Sequence, residues 1–182
     1  AILAMPRETE VAVLEMGMNH FREIAYLSNI AHPDVGVIIN VGTMHIEFLG
    51  SREGIRKAKM EIVEGMAPDG QLLLNGDNDM LQTLDEIPAQ PITYFGCGEN
   101  CTVRGTGVIQ TEEKLSFLAE TKAGSFPVEL YLEGEHFVPD ALAAVAVGEK
   151  LGVTPEKIRQ AGLATVKSFG VKSRFIRLEF FV

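Results

Sequence analysis

The chain is 182 residues long, enough for one ordinary domain or a domain with a small excursion, and a chain of this size buries about 70% of the surface it exposes when unfolded. Hydrophobic residues at 46% against 23% charged exclude a disordered chain, a collagen and a coiled coil, leaving a globular protein. There are 16 Lys and Arg against 25 Asp and Glu, a formal net charge of −9 without any basic stripe, which argues against a nucleic-acid partner.

In chain order, Val11–Leu14 and Val35–Ile39 are short apolar runs without alternation, the pattern of strands covered on both faces. The helical stretch Arg22–Ala31 between them completes a βαβ unit. A loop through Gly42 and Gly50 follows, then a helix capped by Ser51 and running to about Met66, the Asp69-Gly70 turn and a third strand, Gln71–Leu74. This alternation predicts a mainly parallel sheet with right-handed crossovers. From about Ile92 the texture changes to short strands at 92–95, 101–104, 108–111, 114–120 and 126–132, with Ala123-Gly124-Ser125 as a hairpin turn. An antiparallel β excursion over residues 91–133 is therefore expected. Helices from Pro139 to Leu151 and from Pro155 to about Val166 follow, and Arg174–Val182 returns to strand character. The expected fold is one α/β domain over residues 1–182, a mainly parallel sheet flanked by helices with this small antiparallel patch.

The longest apolar runs fall far short of the roughly 18 residues that a membrane span needs, and the amino terminus has no signal-peptide pattern, so a cytoplasmic protein is expected. Cys97 and Cys101 have no Cys or His close by in sequence and read as two free thiols of a reducing compartment. The chain opens on Ala1-Ile-Leu and stops in the apolar run Phe180-Phe-Val182. Both ends read as cut, as in a piece of a longer protein.

Glu15 ends the first apolar run, at the sheet edge where open α/β proteins hold their ligands; a helix-capping or solvated acid is the plainer reading. His45 lies in the loop leaving the next strand, on the same expected edge, as a ligand or as a loop histidine bonded to a carbonyl. On the helix after Ser51, at about 100° per residue, Ile55, Lys59, Ile62, Val63 and Met66 share one stripe, whereas Lys57, Glu61 and Glu64 face the other way. Lys59 is thus directed toward the sheet. An ammonium there must snorkel, pair with an acid such as Glu15, or lose its proton and become reactive. A neutral amine adds carbon dioxide to give a carbamate, whose hard oxygens suit Mg²⁺. Asn75 and Asp77, after the third strand, either contact a ribose, a base or metal-bound water, or form a routine turn. The phosphate-binding pattern G-x-x-x-x-G-K-[ST], G-x-S-x-G, H-E-x-x-H and G-x-G-x-x-G are all missing from the sequence.

Leu14-Glu-Met-Gly-Met-Asn-His20, Asn40-Val-Gly-x-x-His45-x-Glu47 with Gly50-Ser51, and Ala58-Lys59-x-Glu61-Ile62, in this order, resemble the Mur ligases, and the resemblance covers nearly the whole chain as their central, ATP-binding domain. It implies a three-layer, P-loop-like fold and an ATP-dependent amide ligase of peptidoglycan precursor synthesis. The Glu-Met-Gly and Asn-Val-Gly versions are most similar to members that join D-alanyl-D-alanine to UDP-MurNAc-tripeptide through an acyl phosphate. By the same resemblance, Glu15 binds one Mg²⁺ near the γ-phosphate, while His45 and a carbamylated Lys59 serve a second. Asn75, Asp77, His136 and Arg174 fall on the ATP side, and Asn19, His20 and Asn40 on the substrate side.

The family's phosphate-binding loop and its carboxy-terminal domain have no counterpart in this sequence, and Phe137 and Asp140 stand where the family carries asparagines. The expectation is therefore a central-domain portion that does not turn over alone. The alternatives are a non-catalytic binding or scaffold module derived from a Mur ligase, and the related folylpolyglutamate synthase activity.

Overall fold

The computed structural model describes residues 5–164, with side chains described to residue 160. Arg174 and the expected strand 174–182 lie outside the described residues. Among the described residues, six strands form one sheet in the order β1 (Val35–Ile38), β2 (Gln71–Asn75), β3 (Ile92–Gly96), β4 (Val103–Gln110), β5 (Leu115–Thr121), β6 (Gly124–Leu130). The pairs β1–β2, β2–β3 and β3–β4 are parallel, and β4–β5 and β5–β6 antiparallel. The mixed α/β sheet expected from the apolar runs is present. Ile92–Phe95, however, belongs to the parallel part, because the Cys97–Thr102 connection returns the chain in the same direction; antiparallel pairing begins with β4 and β5. The two runs read at 101–104 and 108–111 join into β4, whose register shifts between Thr106 and Ile109.

The helices are α1 (Glu23–Ala31), α2 (Ile46–Leu49), α3 (Arg52–Met60), α4 (Asp79–Gln82), α5 (Phe137–Lys150) and α6 (Pro155–Ala164). Period-two alternation along β2 sends Leu72 and Leu74 to one face and Leu73 to the other. Leu72 and Leu74 pack with Ile24, Ile55, Ala58 and Leu49 from α1, α3 and α2. Leu73 packs with Phe95, Val138, Leu142 and Val145, the last three from α5. Helices therefore cover both faces, and the non-alternating apolar runs have their physical reason. Pro139 sits third in α5, where its missing N–H leaves no intrahelical bond unmade.

Two expectations are corrected. Val11–Leu14 is not a strand: it makes no ladder with β1, and Val11 and Val13 are 44% and 36% exposed. Apolarity without a neighbouring strand to satisfy its N–H and C=O groups does not make a strand. The long helix to Met66 stops at Met60 and tightens into a 3₁₀ turn over Glu61–Glu64, followed by Gly65. Gly65 lies against α1, and a β-carbon there would fall 2.1 Å from the Ser28 carbonyl carbon.

Candidate active site

The carboxyl ends of β1 and β2 meet α3 in a network of polar contacts. Ser51 caps α3, its hydroxyl accepting the Gly54 N–H at 3.2 Å, and this sets the phase that directs Lys59 to the sheet edge. There Lys59 Nζ donates to the Asn40 carbonyl oxygen at 2.6 Å, two residues beyond the end of β1. Among the described residues no carboxylate lies within ion-pair distance of this nitrogen, so it is not the partner of Glu15. Burial alone pushes its pKa below the ordinary lysine value. Of the three states open to a sheet-facing lysine, the ion pair is not formed, and the contact is to a neutral acceptor.

Asn75 is only 7% exposed and stitches the two strands together, Nδ2 donating to the Ile39 carbonyl at 2.9 Å and Oδ1 accepting the Asp77 N–H at 2.9 Å. The Asp77 carboxylate accepts the Cys97 and Gly98 N–H groups at 2.6 and 2.7 Å. It approaches so closely that a β-carbon on Gly96, at φ +151°, would lie 2.7 Å from it. Both residues occupy the expected edge, and both are held in turn-forming bonds. Burial raises the two nearby thiols, Cys101 to about 11, with the Asp77 charge adding to the effect.

His45 is half-buried at the start of α2 with φ 64°, a left-handed conformation that costs a non-glycine residue roughly 1 kcal/mol or more. Phe48, one turn on, packs its ring 5.0 Å from that of His20. The N–H groups of Asn19 and His20 donate to Glu23 at 2.6 and 3.1 Å, holding that carboxyl below its usual range. The structure thus brings the 19–20 loop to the helix that begins at His45. Glu15 is exposed and, among the described residues, enters no side-chain hydrogen bond or ion pair. No group of three or more His, Cys, Asp and Glu side chains is assembled among the described residues. His136 is exposed at the start of α5, its ring 4.2 Å from that of Phe137, and burial raises the Asp140 carboxyl.

Three residues of this edge are not visible as site residues in the sequence. Arg52 forks onto Asp79 at 2.7 and 2.5 Å and donates to the Val41 carbonyl at 2.8 Å, tying the loop after β1 to α4. Asn78 caps α4 and reaches Asn40. Glu61, expected on the solvent side, is buried at 8% exposure, because the 3₁₀ turn carries it to the N-terminus of α1.

Residues 1–148 match the Mur ligase middle domain family. A UDP-N-acetylmuramoyl-tripeptide--D-alanyl-D-alanine ligase of Bacillus subtilis (strain 168) is 40% identical over 178 residues, 98% of this chain and 38% of the relative. Its counterpart in Escherichia coli (strain K12) is 34% identical over 169 residues, 92% of this chain and 37% of the relative. Among solved structures, MurF from Acinetobacter baumannii superposes with a TM-score of 0.82 at 35% identity, over 95% of this chain and 37% of that one. MurF ligase from Thermotoga maritima in complex with ADP superposes with a TM-score of 0.69 at 30% identity, over 78% and 33%. The chain spans a little over a third of the length of these relatives. With the family matched over residues 1–148 and the lysine-bearing edge in place, the chain belongs to the Mur ligases, as their middle domain.

Proposed function

We propose that this chain is the central-domain part of an ATP-dependent carbon–nitrogen ligase that joins D-alanyl-D-alanine to UDP-MurNAc-tripeptide in the cytoplasm, and that it does not turn over by itself. The observation that carries the reading is Lys59, an amine at the carboxyl edge of a parallel sheet, bonded to a backbone carbonyl and destabilised as a cation by burial. The identity to ligases of this specificity, at 40% and 34%, supports the substrate pair. A relative's complex with ADP supports ATP as the nucleotide. No helix among the described residues is long and apolar enough to cross a membrane.

Oxygen donors suit a hard divalent cation: Glu15 offers an exposed carboxylate and Lys59 two oxygens once carbamylated, while the half-buried His45 imidazole is a softer donor. Glu15 would hold one Mg²⁺, and His45 with the Lys59 carbamate would serve a second; such cations would neutralise charge as carboxylate and phosphoryl oxygens approach one another. The tripeptide carboxylate attacks the γ-phosphorus of ATP and ADP leaves; the dipeptide amine then attacks the acyl carbon and phosphate leaves. This chain's part is to hold position. Asn75 and Asp77 fix the turn after β2 on the nucleotide side, with His136 and Arg174 as further nucleotide contacts. Asn19, His20 and Asn40 frame the side where the peptide carboxylate enters.

The test is phosphate release by this domain within a ligase of the relatives' full length, given ATP, Mg²⁺, UDP-MurNAc-tripeptide and D-alanyl-D-alanine. Release that requires the dipeptide is expected. A full-length protein that releases none fails the reading.

A second reading, a non-catalytic module on the ligase scaffold, draws on Phe137, which packs against the core where the family has an asparagine. Calorimetric titration of the same full-length protein with Mg-ATP separates the two, since a scaffold gives no binding heat.

A further inference from the structure

The hydrogen bonds around Lys59 lead to a residue without an assigned role, Asn78, whose part rests on Lys59 being carbamylated as proposed for the ligase. Asn78 Oδ1 accepts the Met80 N–H at 3.1 Å. A backbone N–H can only donate, so this contact fixes which end of the amide is which and turns Nδ2 toward Asn40. Nδ2 then donates to Asn40 Oδ1 at 2.8 Å. Asn75 Nδ2 holds the neighbouring carbonyl, that of Ile39, at 2.9 Å. Asn40, whose carbonyl receives Lys59 Nζ at 2.6 Å, is thereby held through its side chain by Asn78, and the peptide that precedes it is held by Asn75.

We propose that Asn78 is a positioning residue for carbamylation of Lys59: by holding Asn40 it fixes the carbonyl that orients the lysine nitrogen for carbon dioxide. In that step the nitrogen lone pair forms the C–N bond, one C–O π pair moves onto oxygen, and one N–H proton goes to solvent. A second N–H remains on the carbamate and, being amide-like, donates to the Asn40 carbonyl more strongly than the N–H of a neutral amine, so the bond favours the product. That carbonyl is an acceptor only. It repels the new carboxylate oxygens and turns them away from β1, toward open space at the sheet edge. With Asn40 loose, the long lysine chain must be ordered without this anchor, at an entropic cost to the product.

The experiment is ¹³C NMR of the 182-residue chain titrated with ¹³C-bicarbonate, for the wild type, Asn78→Ser and Lys59→Met. Serine is itself a good N-cap, so Asn78→Ser keeps an oxygen for the Met80 N–H and removes only the donor to Asn40. The wild type is expected to show a carbamate signal that is missing in Lys59→Met. In Asn78→Ser the bicarbonate needed for half-carbamylation should rise about 5-fold, the equilibrium worth of one net hydrogen bond. An unchanged half-point in Asn78→Ser beside a carbamylated wild type overturns the role of Asn78 and leaves the carbamate reading standing. A wild type without a Lys59 carbamate overturns both.

Discussion

Both oxygens of the Glu61 carboxylate accept the backbone N–H of Arg22 at 2.8 Å, and Oε2 also accepts that of Ala25 at 3.3 Å. Glu61 thus caps a helix 39 residues earlier in the chain, where Arg22 has φ 75° and supplies no side-chain cap of its own. Helix N-termini carry unpaired N–H groups and a partial positive charge, and a buried carboxylate answers both. Glu61→Ala leaves those groups buried without a partner and should cost about 2–3 kcal/mol, read by urea denaturation. Glu61→Gln should cost less, since one oxygen remains. No loss in either variant contradicts the capping role.

The contact beside it is equally specific. Gly65 leaves no room for a β-carbon against the backbone at Ser28, so Gly65→Ala must push α1 away from the 3₁₀ turn. A loss of about 2 kcal/mol or more is expected in thermal unfolding. A neutral substitution means the two segments are not in contact.

The burial of Lys59 predicts a pH dependence with a definite sign. Its folded-state pKa lies below the ordinary 10.5, so between the two values the unfolded chain binds more protons. Stability contributed by this group therefore rises with pH through that window and levels off above 10.5. The raised thiols act the other way, since the folded protein keeps their protons and loses stability above pH 9. The difference between wild type and Lys59→Met isolates the lysine. In carbonate-free buffer that difference should change in the wild type's favour as pH rises toward 10.5. A difference independent of pH rejects the buried-amine account.

Much of this fold is legible in the sequence. The apolar runs at Val35–Ile39 and Gln71–Leu74 become β1 and β2 because helices cover both of their faces. Ser51 marks the start of α3, and helical phase alone directs Lys59 to the sheet edge. Glu61 escapes the same reasoning because it assumes about 100° per residue throughout, and the helix tightens at that residue. Asn78 and Arg52 escape because their partners, Asn40, Val41 and Asp79, are brought close by parallel strand pairing that no local pattern encodes.

Val11–Leu14 is the clearest case of a pattern without its partner. Its residues have strand character, but among the described residues no ladder bonds hold them, so their amides should exchange with solvent within seconds to minutes while those of β2 stay protected. Hydrogen exchange read by mass spectrometry checks this. Protection of Val11–Leu14 equal to that of β2 would mean the segment is paired after all.

The central claim is that Lys59 works as an anion. Its most direct measurement is turnover of Lys59→Ala in a ligase of the relatives' full length, with and without added acetate. The account predicts a loss of roughly 10²–10³-fold in kcat, the usual scale for removing a group that stabilises transferring charge, with partial recovery as acetate takes the place of the carbamate. Turnover equal to wild type without acetate would contradict it.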